Sequence, residues 1–385
     1  MITITKYFQN FFNNSQSSGV ILLFCVAISL LIANSSLAES FQHLLHYTLG
    51  AYSVEVWIND GLMAIFFLLV GLEIKREIVE GELSDIKNAS LPIVAALGGM
   101  LVPAAIYAIF NSGTEYSNGW GIPMATDIAF SLAIVSMLGK KVPASIKIFL
   151  AALAIVDDLG AILVIAIFYT EQIHWMYLGI SGGIMLLLAA LNYFNVQKHI
   201  FYLLPGVVLW YCMHHSGIHA TIAGVLLAFT IPTNVSKTEI SPLEKLEHGL
   251  HKPVNFLIMP IFALANTNIT FVEGMVDGLA SSLGLGILGG LFVGKALGIG
   301  FFSWVAIQLK LSSLPVGSNW MQMIGTGFLA GIGFTMSIFI ALLSFKNHID
   351  IQNEAKFAIL IASGLSGIVG FMILKRSAKK KAIKA

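Results

Sequence analysis

Charge is what this sequence lacks. Only 11% of its 385 residues are Asp, Glu, Lys or Arg, while 57% are hydrophobic; an average soluble domain carries about 25% charged residues. So few ionic side chains cannot cover a globular surface, which excludes a soluble chain and points to a polytopic membrane protein. The formal net charge of +1 gives no footing for nucleic acid. Cysteine is nearly absent too. Cys25 and Cys212 both fall in apolar stretches, so neither a disulfide framework nor a metal cluster follows, and both are expected as small lipid- or core-facing side chains. Long polar connections are missing, since the largest, about 35–56 and 232–253, are too short for an independent domain. A cleavable leader is not indicated, because the polar "NNSQSSG" before the first apolar run offers no small-residue cleavage site. The expectation is one membrane domain over residues 1–385, with about 18–374 embedded and 375–385 as a basic cytoplasmic tail.

What fills the chain is apolar segments of the length a bilayer demands, roughly 20 residues for a helix. Twelve are predicted, at about 18–34, 57–74, 90–110, 119–138, 145–169, 176–193, 200–214, 218–231, 254–271, 283–308, 321–344 and 355–374. The seventh and eighth are short and share a tight turn at Ser216 and Gly217. Basic residues test the count, because cytoplasmic loops retain Lys and Arg. With both termini inside, the inner segments hold Lys6, Lys75, Arg76, Lys87, Lys140, Lys141, Lys147, Lys198, Lys237, Lys245, Lys252, Lys310, Lys375, Arg376, Lys379, Lys380, Lys381 and Lys384, and the outer ones only Lys346 and Lys356. A wrong count would scramble that alternation. In the first outer connection, "YTLGAYSVEVWI" alternates apolar and polar residues after a Gly, which permits a short surface hairpin or an irregular turn.

Against this background a few charges stand out. "LAIVDDLGAILV" places Asp157 and Asp158 in a continuous apolar run. A charge near a bilayer centre costs about 2.5–3.5 kcal/mol on insertion scales, so such groups mark an ion or proton path by default. Neighbours on a helix point about 100° apart, so one carboxylate can face a water-filled cavity while the other meets a partner. Asp127 follows Thr126 in "GIPMATDIAFSLAIV"; it either caps a freed amide in a kinked helix or marks a discontinuous helix open at a protein-lined cavity. Lys295 lies halfway along "LGLGILGGLFVGKALGIGFF", too far from a helix end to snorkel, so pairing with a buried carboxylate explains it. Gly286, Gly290, Gly294 and Gly298 form a stripe beside it that admits a close backbone. Gly325, Gly327, Gly331 and Gly333 break the eleventh segment as Gly121 and Pro123 break the fourth. Interrupted spans at corresponding positions of two repeats point to a binding site at the midplane, so spans 3–5 and 10–12 are expected as inverted repeats, with spans 4 and 11 discontinuous and crossing there.

Two charge clusters lie at membrane surfaces. "GLEIKREIVEGELSD" carries Glu73, Lys75, Arg76, Glu77, Glu80 and Glu82, and "LEKLEHGLHKP" carries Glu244, Lys245, Glu247, His248, His251 and Lys252. Such runs read first as solvated faces. His248 and His251 nevertheless stand one turn apart beside Glu247, and histidine titrates near neutral pH, which suits a pH-responsive mouth. His219 in "SGIHATIAG" and Asp60 in "WINDG" are either satisfied polar residues near helix ends or lining groups.

The segments "WINDGLMAIFFLLVGLEIKRE", "PMATDIAFSLAIVSMLG", "IKIFLAALAIVDDLGAILVIAIFY", "SGIHATIAGV", "LEHGLHKPV" and "GIGFTMSIFIALL" resemble, in order and spacing over about residues 10–374, the NhaA-type Na+/H+ antiporter family. The resemblance implies a multi-pass protein of the bacterial inner membrane, with both termini cytoplasmic, that exchanges cytoplasmic Na+ or Li+ for external protons without a cofactor. By position it makes Asp158 the carrier of Na+ and H+, pairs Lys295 with Asp157, and puts Thr126 and Asp127 at the crossing of unwound helices. It associates Glu73, Arg76, Glu77, Glu247, His248 and His251 with pH activation. Two departures stand out: Ala296 follows Lys295 where the family pattern has Pro, and the connection after span one is short for the family's dimer-forming hairpin, so a homodimer follows less directly than transport. The rival readings are a proton-coupled symporter, which would need several basic groups converging on a substrate anion, an intramembrane aspartyl protease, which would need its aspartates on facing helices, and a channel, which titratable groups would obstruct.

Overall fold

The computed structural model describes residues 15–170, 172–233 and 240–382. Lys6, Lys237 and Lys384, three of the basic residues assigned to the inner side, lie outside them. In chain order the helices are α1 (Ser15–Ala33), α2 (Ala38–His46), α3 (Met63–Val79), α4 (Ile86–Asn111), α5 (Ile128–Met137), α6 (Ala144–Phe168), α7 (Trp175–Tyr193), α8 (Ile200–Ser216), α9 (Ile222–Thr230), α10 (Pro242–Pro253), α11 (Met259–Asn266), α12 (Ser282–Leu288), α13 (Lys295–Gln308), α14 (Trp320–Ala330), α15 (Phe334–Ser344) and α16 (Ile349–Ala382). Among the described residues six helices are long and apolar enough to cross a membrane, or up to eight if two bent pairs are each one span. That is an all-α polytopic membrane architecture. The permitted hairpin forms as a two-stranded ribbon, β1 (Thr48–Leu49) and β2 (Tyr52–Ser53), with Thr48 opposite Ser53 and Leu49 opposite Tyr52. Its turn uses Gly50 at φ +70°, a left-handed conformation that costs glycine little. Cys25 and Cys212 are both free thiols, the second buried.

The chain divides into two compact units. The first comprises the described parts of Met1–Ser35, Asp85–Ala161 and Asn266–Ala385. Its glycine stripe lies along α4. An added Cβ at Gly298 would strike the Gly98 carbonyl, at Gly290 and Gly294 it would meet Pro103, and at Gly286 it would meet Tyr107 and Asn111. Main chain therefore touches main chain, as small residues allow in a membrane. Between α12 and α13, Gly289–Gly294 winds as a π-helix that ends at Lys295. One extra residue per turn rotates the chain after it and re-aims its side chains; such bulges recur at functional sites.

The second unit comprises Ser36–Ser84 and Ile162–Ala265. Here α3 and α9 cross closely, since a Cβ at Gly224 would meet the Ala64 carbonyl and one at Gly71 would meet Val225 and Ala228. Lys75 donates to the Phe229 carbonyl at 2.8 Å and the Ile231 carbonyl at 2.5 Å, satisfying C-terminal acceptors of α9 that have no intrahelical donor. The polar α10 starts with a reciprocal capping box between Ser241 and Glu244, which fixes where its charged face begins.

Candidate functional site

The first unit brings Thr126, Asp127, Asp157, Asp158 and Lys295 into its buried interior, each at most 1% exposed. Two backbone breaks create the place. Before α5, a 3-10 turn over Ser117–Met124 gives way to extended residues 125–127; between α14 and α15 the chain bends by 44°. The segments are stitched where they meet, with the Asp127 amide donating to the Ile332 carbonyl at 2.7 Å and the Ser337 hydroxyl to the Ile122 carbonyl at 2.8 Å.

Asp127 serves both helix starts. One oxygen accepts from the Phe130 amide at 3.0 Å, capping α5. The other accepts from the Thr335 amide at 3.3 Å and hydroxyl at 2.5 Å, in the first turn of α15. Helix N-termini present orphan amides and partial positive charge, so one carboxylate offsets two of them. The capping reading of Asp127 and the broken-backbone reading therefore describe the same residue.

Lys295 closes the other half of the arrangement. Its ammonium, fully buried, donates to Asp157 Oδ2 at 2.5 Å and to the Thr126 hydroxyl at 2.9 Å. That hydroxyl has one proton and two acceptors in reach, Asp157 Oδ2 at 2.7 Å and the Ala330 carbonyl at the end of α14 at 2.9 Å. Asp157 Oδ1 keeps no hydrogen-bond partner among the described residues. Asp158 is the next residue of α6, so it leaves the helix about 100° away from the paired Asp157. The Lys295 ammonium thus meets one carboxylate and one hydroxyl, while the Asp127 and Asp158 carboxylates and the Ala330 carbonyl lie in the same buried unit. Hard oxygen ligands of this kind suit a hard cation, and a carboxylate oxygen that holds a cation is also where a proton binds.

Thr335 was not legible as a site residue, although a polar residue two positions after the glycines of "GIGFT" was the available signal. The Ala330 carbonyl had none, because main-chain acceptors become ligands only where a helix stops.

The second unit gathers Glu73, Arg76, Glu77, Glu247 and His251. Arg76 Nε reaches both Glu247 oxygens at 2.9 and 3.1 Å, and its Nη1 reaches Glu77 at 2.9 Å. His251 Nε2 lies 3.1 Å from Glu73. Burial pushes the Glu247 carboxyl above the usual range, against the pull of Arg76. The hydrogen bond that His251 donates to Glu73 raises the imidazole, outweighing the opposing effect of burial. Burial would lower Arg76, but Glu247, Glu77 and Glu73 together hold it above its ordinary value. His248 is exposed on the same helix. His219 sits in the turn between α8 and α9 and bonds Thr221 at 3.2 Å. Asp60 pairs with His214 at 3.3 Å, and the Trp210 indole donates to its main-chain carbonyl.

The chain matches the family described as Na+/H+ antiporter 1 over residues 9–374. Among similar proteins, the "Na(+)/H(+) antiporter NhaA 2" of Flavobacterium johnsoniae is 57% identical over 385 residues, covering 98% of this chain and 94% of the relative. The "Na(+)/H(+) antiporter NhaA" of Flavobacterium psychrophilum is 52% identical over 372 residues, covering 97% and 96%, and that of Vibrio campbellii is 47% identical over 377 residues, covering 97% and 96%.

Proposed function

The chain belongs to the Na+/H+ antiporter 1 family, a transporter that exchanges sodium for protons rather than an enzyme, and from that premise we propose how its residues carry the exchange. Deprotonated Asp158 binds Na+ or Li+, helped by Asp157, Thr126 and main-chain carbonyls at the breaks. Protonation of the same oxygens expels the cation, so the two substrates compete for one site and cannot cross together. Asp127 and Lys295 hold the opposed helix ends that would otherwise leave partial charges buried in the bilayer. If Asp158 and a second group of the Asp157–Lys295 pair each give up a proton per sodium, the exchange moves net charge and external protons drive cytoplasmic sodium out.

The arrangement across the membrane is part of the same proposal: one domain of twelve spans in the bacterial inner membrane with both termini cytoplasmic, and spans 3–5 and 10–12 as inverted repeats. Helical segments along each of the twelve apolar stretches support it, as does the basic-residue alternation. The cluster of Glu73, Arg76, Glu77, Glu247 and His251 acts as the pH-responsive mouth, with His248 and His219 as outlying members. As pH rises through the elevated His251 pKa, its ion pair with Glu73 is lost, which leaves α10 held to α3 by the Arg76–Glu247 pair, and this loosening switches exchange on.

The observation that carries this reading is the buried set of three carboxylates, Asp127 at a backbone break and Asp157 and Asp158 side by side on α6, with Lys295 paired to Asp157. Radiolabelled sodium binding to the purified protein tests it: binding at alkaline pH falls as pH is lowered, and Asp158→Asn abolishes it. Binding that ignored both pH and that substitution would contradict the proposal.

A further inference from the structure

The start of α15 is held from a direction that ion chemistry alone does not require. Ser363, on α16, is 7% exposed, and its hydroxyl accepts from the Phe334 amide at 3.1 Å. Phe334 is the first residue of α15, and its amide is one of the orphan donors that every helix start must satisfy. The next residue is Thr335, whose amide and hydroxyl grip Asp127. Asp127 in turn adjoins Thr126, which bonds Asp157 and Lys295. A short chain of bonds therefore runs from α16 through the first turn of α15 to the ion site.

Among the side chains lining the adjoining groove, the Ser363 hydroxyl is the one oxygen acceptor offered to the Phe334 amide. Beside Ser363 lies an open apolar groove of about 400 Å³ lined by Phe130, Ile332, Phe334, Leu360, Gly364 and Ile368 among others. Without Ser363 the buried amide would be unsatisfied, and the first turn of α15 would shift to find an acceptor. One turn further along α16, Ser366 is fully buried and faces Gly331 at the other end of the break. Its hydroxyl has no hydrogen-bond partner among the described residues, which makes it a matched control.

We propose that Ser363 is a positioning residue for sodium binding, setting the first turn of α15 so that Thr335 holds Asp127 at the crossing. The inference rests on the ion-site reading given above. In proteoliposomes of purified protein, Ser363→Ala raises the sodium concentration for half-maximal exchange by about fivefold, the factor that corresponds to a typical lost cap, while the maximal rate per folded protein holds. Ser363→Thr keeps the hydroxyl and restores the wild-type value; Ser363→Cys, a weaker acceptor, falls between. Ser366→Ala removes a hydroxyl from the same helix without removing a bond and leaves the value unchanged. A wild-type value in Ser363→Ala, a maximal-rate loss with no change in half-saturation, failure of Thr to rescue, or an equal shift in Ser366→Ala overturns the inference. Asp158→Asn, run in parallel, separates the two claims: if it still exchanges sodium the ion-site reading fails, whereas an inactive Asp158→Asn beside an unshifted Ser363→Ala sinks only the role of Ser363.

Discussion

Removing the lysine of the buried pair should cost more than removing the whole pair. In Lys295→Met the long apolar stem is preserved, but Asp157 loses the ammonium 2.5 Å from Oδ2. Only the Thr126 hydroxyl then remains for a carboxylate whose Oδ1 already has no partner among the described residues. Both side chains are fully buried, so solvent cannot take over. Breaking a buried ion pair from one side costs about 3–5 kcal/mol, whereas replacing both members with neutral groups of similar volume is often close to neutral. Asp157→Asn combined with Lys295→Met should therefore recover at least half of what Lys295→Met loses. Unfolding of the purified protein in mixed micelles, followed for both single variants and the double variant, gives the coupling energy directly. A Lys295→Met protein as stable as wild type, or a double variant no better than that single one, would refute the reasoning. The same proteins address the second proton: if the pair supplies it, the double variant exchanges sodium without moving net charge.

The other expectations are briefer. Because Glu73 is the main cause that holds His251 above its ordinary value, Glu73→Gln should lower the pKa and shift the activation curve toward acid pH; a curve unmoved, or moved toward alkaline pH, would count against the switch. His251→Ala should displace that curve further than His248→Ala, since only the former side chain meets Glu73. Gly298→Ala puts a methyl into the Gly98 carbonyl and should destabilise by about 1–3 kcal/mol. Gly300→Ala, with nothing within 4 Å of the new carbon, should be neutral or stabilising by up to about 1 kcal/mol; melting curves of the two proteins compare them.

Much of the candidate site was legible because a bilayer makes charge conspicuous. Asp127, Asp157, Asp158 and Lys295 were visible as charges in apolar runs, and the glycine stripe announced a close helix, which is α4. The breaks were visible as Gly and Pro clusters. The partners were less visible, since Thr335 and Ser363 are ordinary small polar residues until the fold brings helix starts to them. The π-helical turns at Trp57–Leu62, Val254–Ile258 and Gly289–Gly294 left no trace in the pattern, because one residue added to a turn changes direction without changing composition. Ala296 in place of the family's Pro also finds its physical account there: the π-turn before Lys295 supplies a local irregularity that does not depend on proline. At the cluster around Arg76 and Glu247, residue types suggested titration, but which histidine takes part depended on the face of α10, whose start the Ser241–Glu244 cap sets.

The most direct test of the central claim is sodium-induced collapse of a pH gradient in everted membrane vesicles. With wild-type protein, added Na+ should dissipate an imposed gradient at alkaline pH, and Asp158→Asn, present at equal abundance, should give no response. A full response from that variant would contradict the assignment of Asp158 as the shared carrier of sodium and proton.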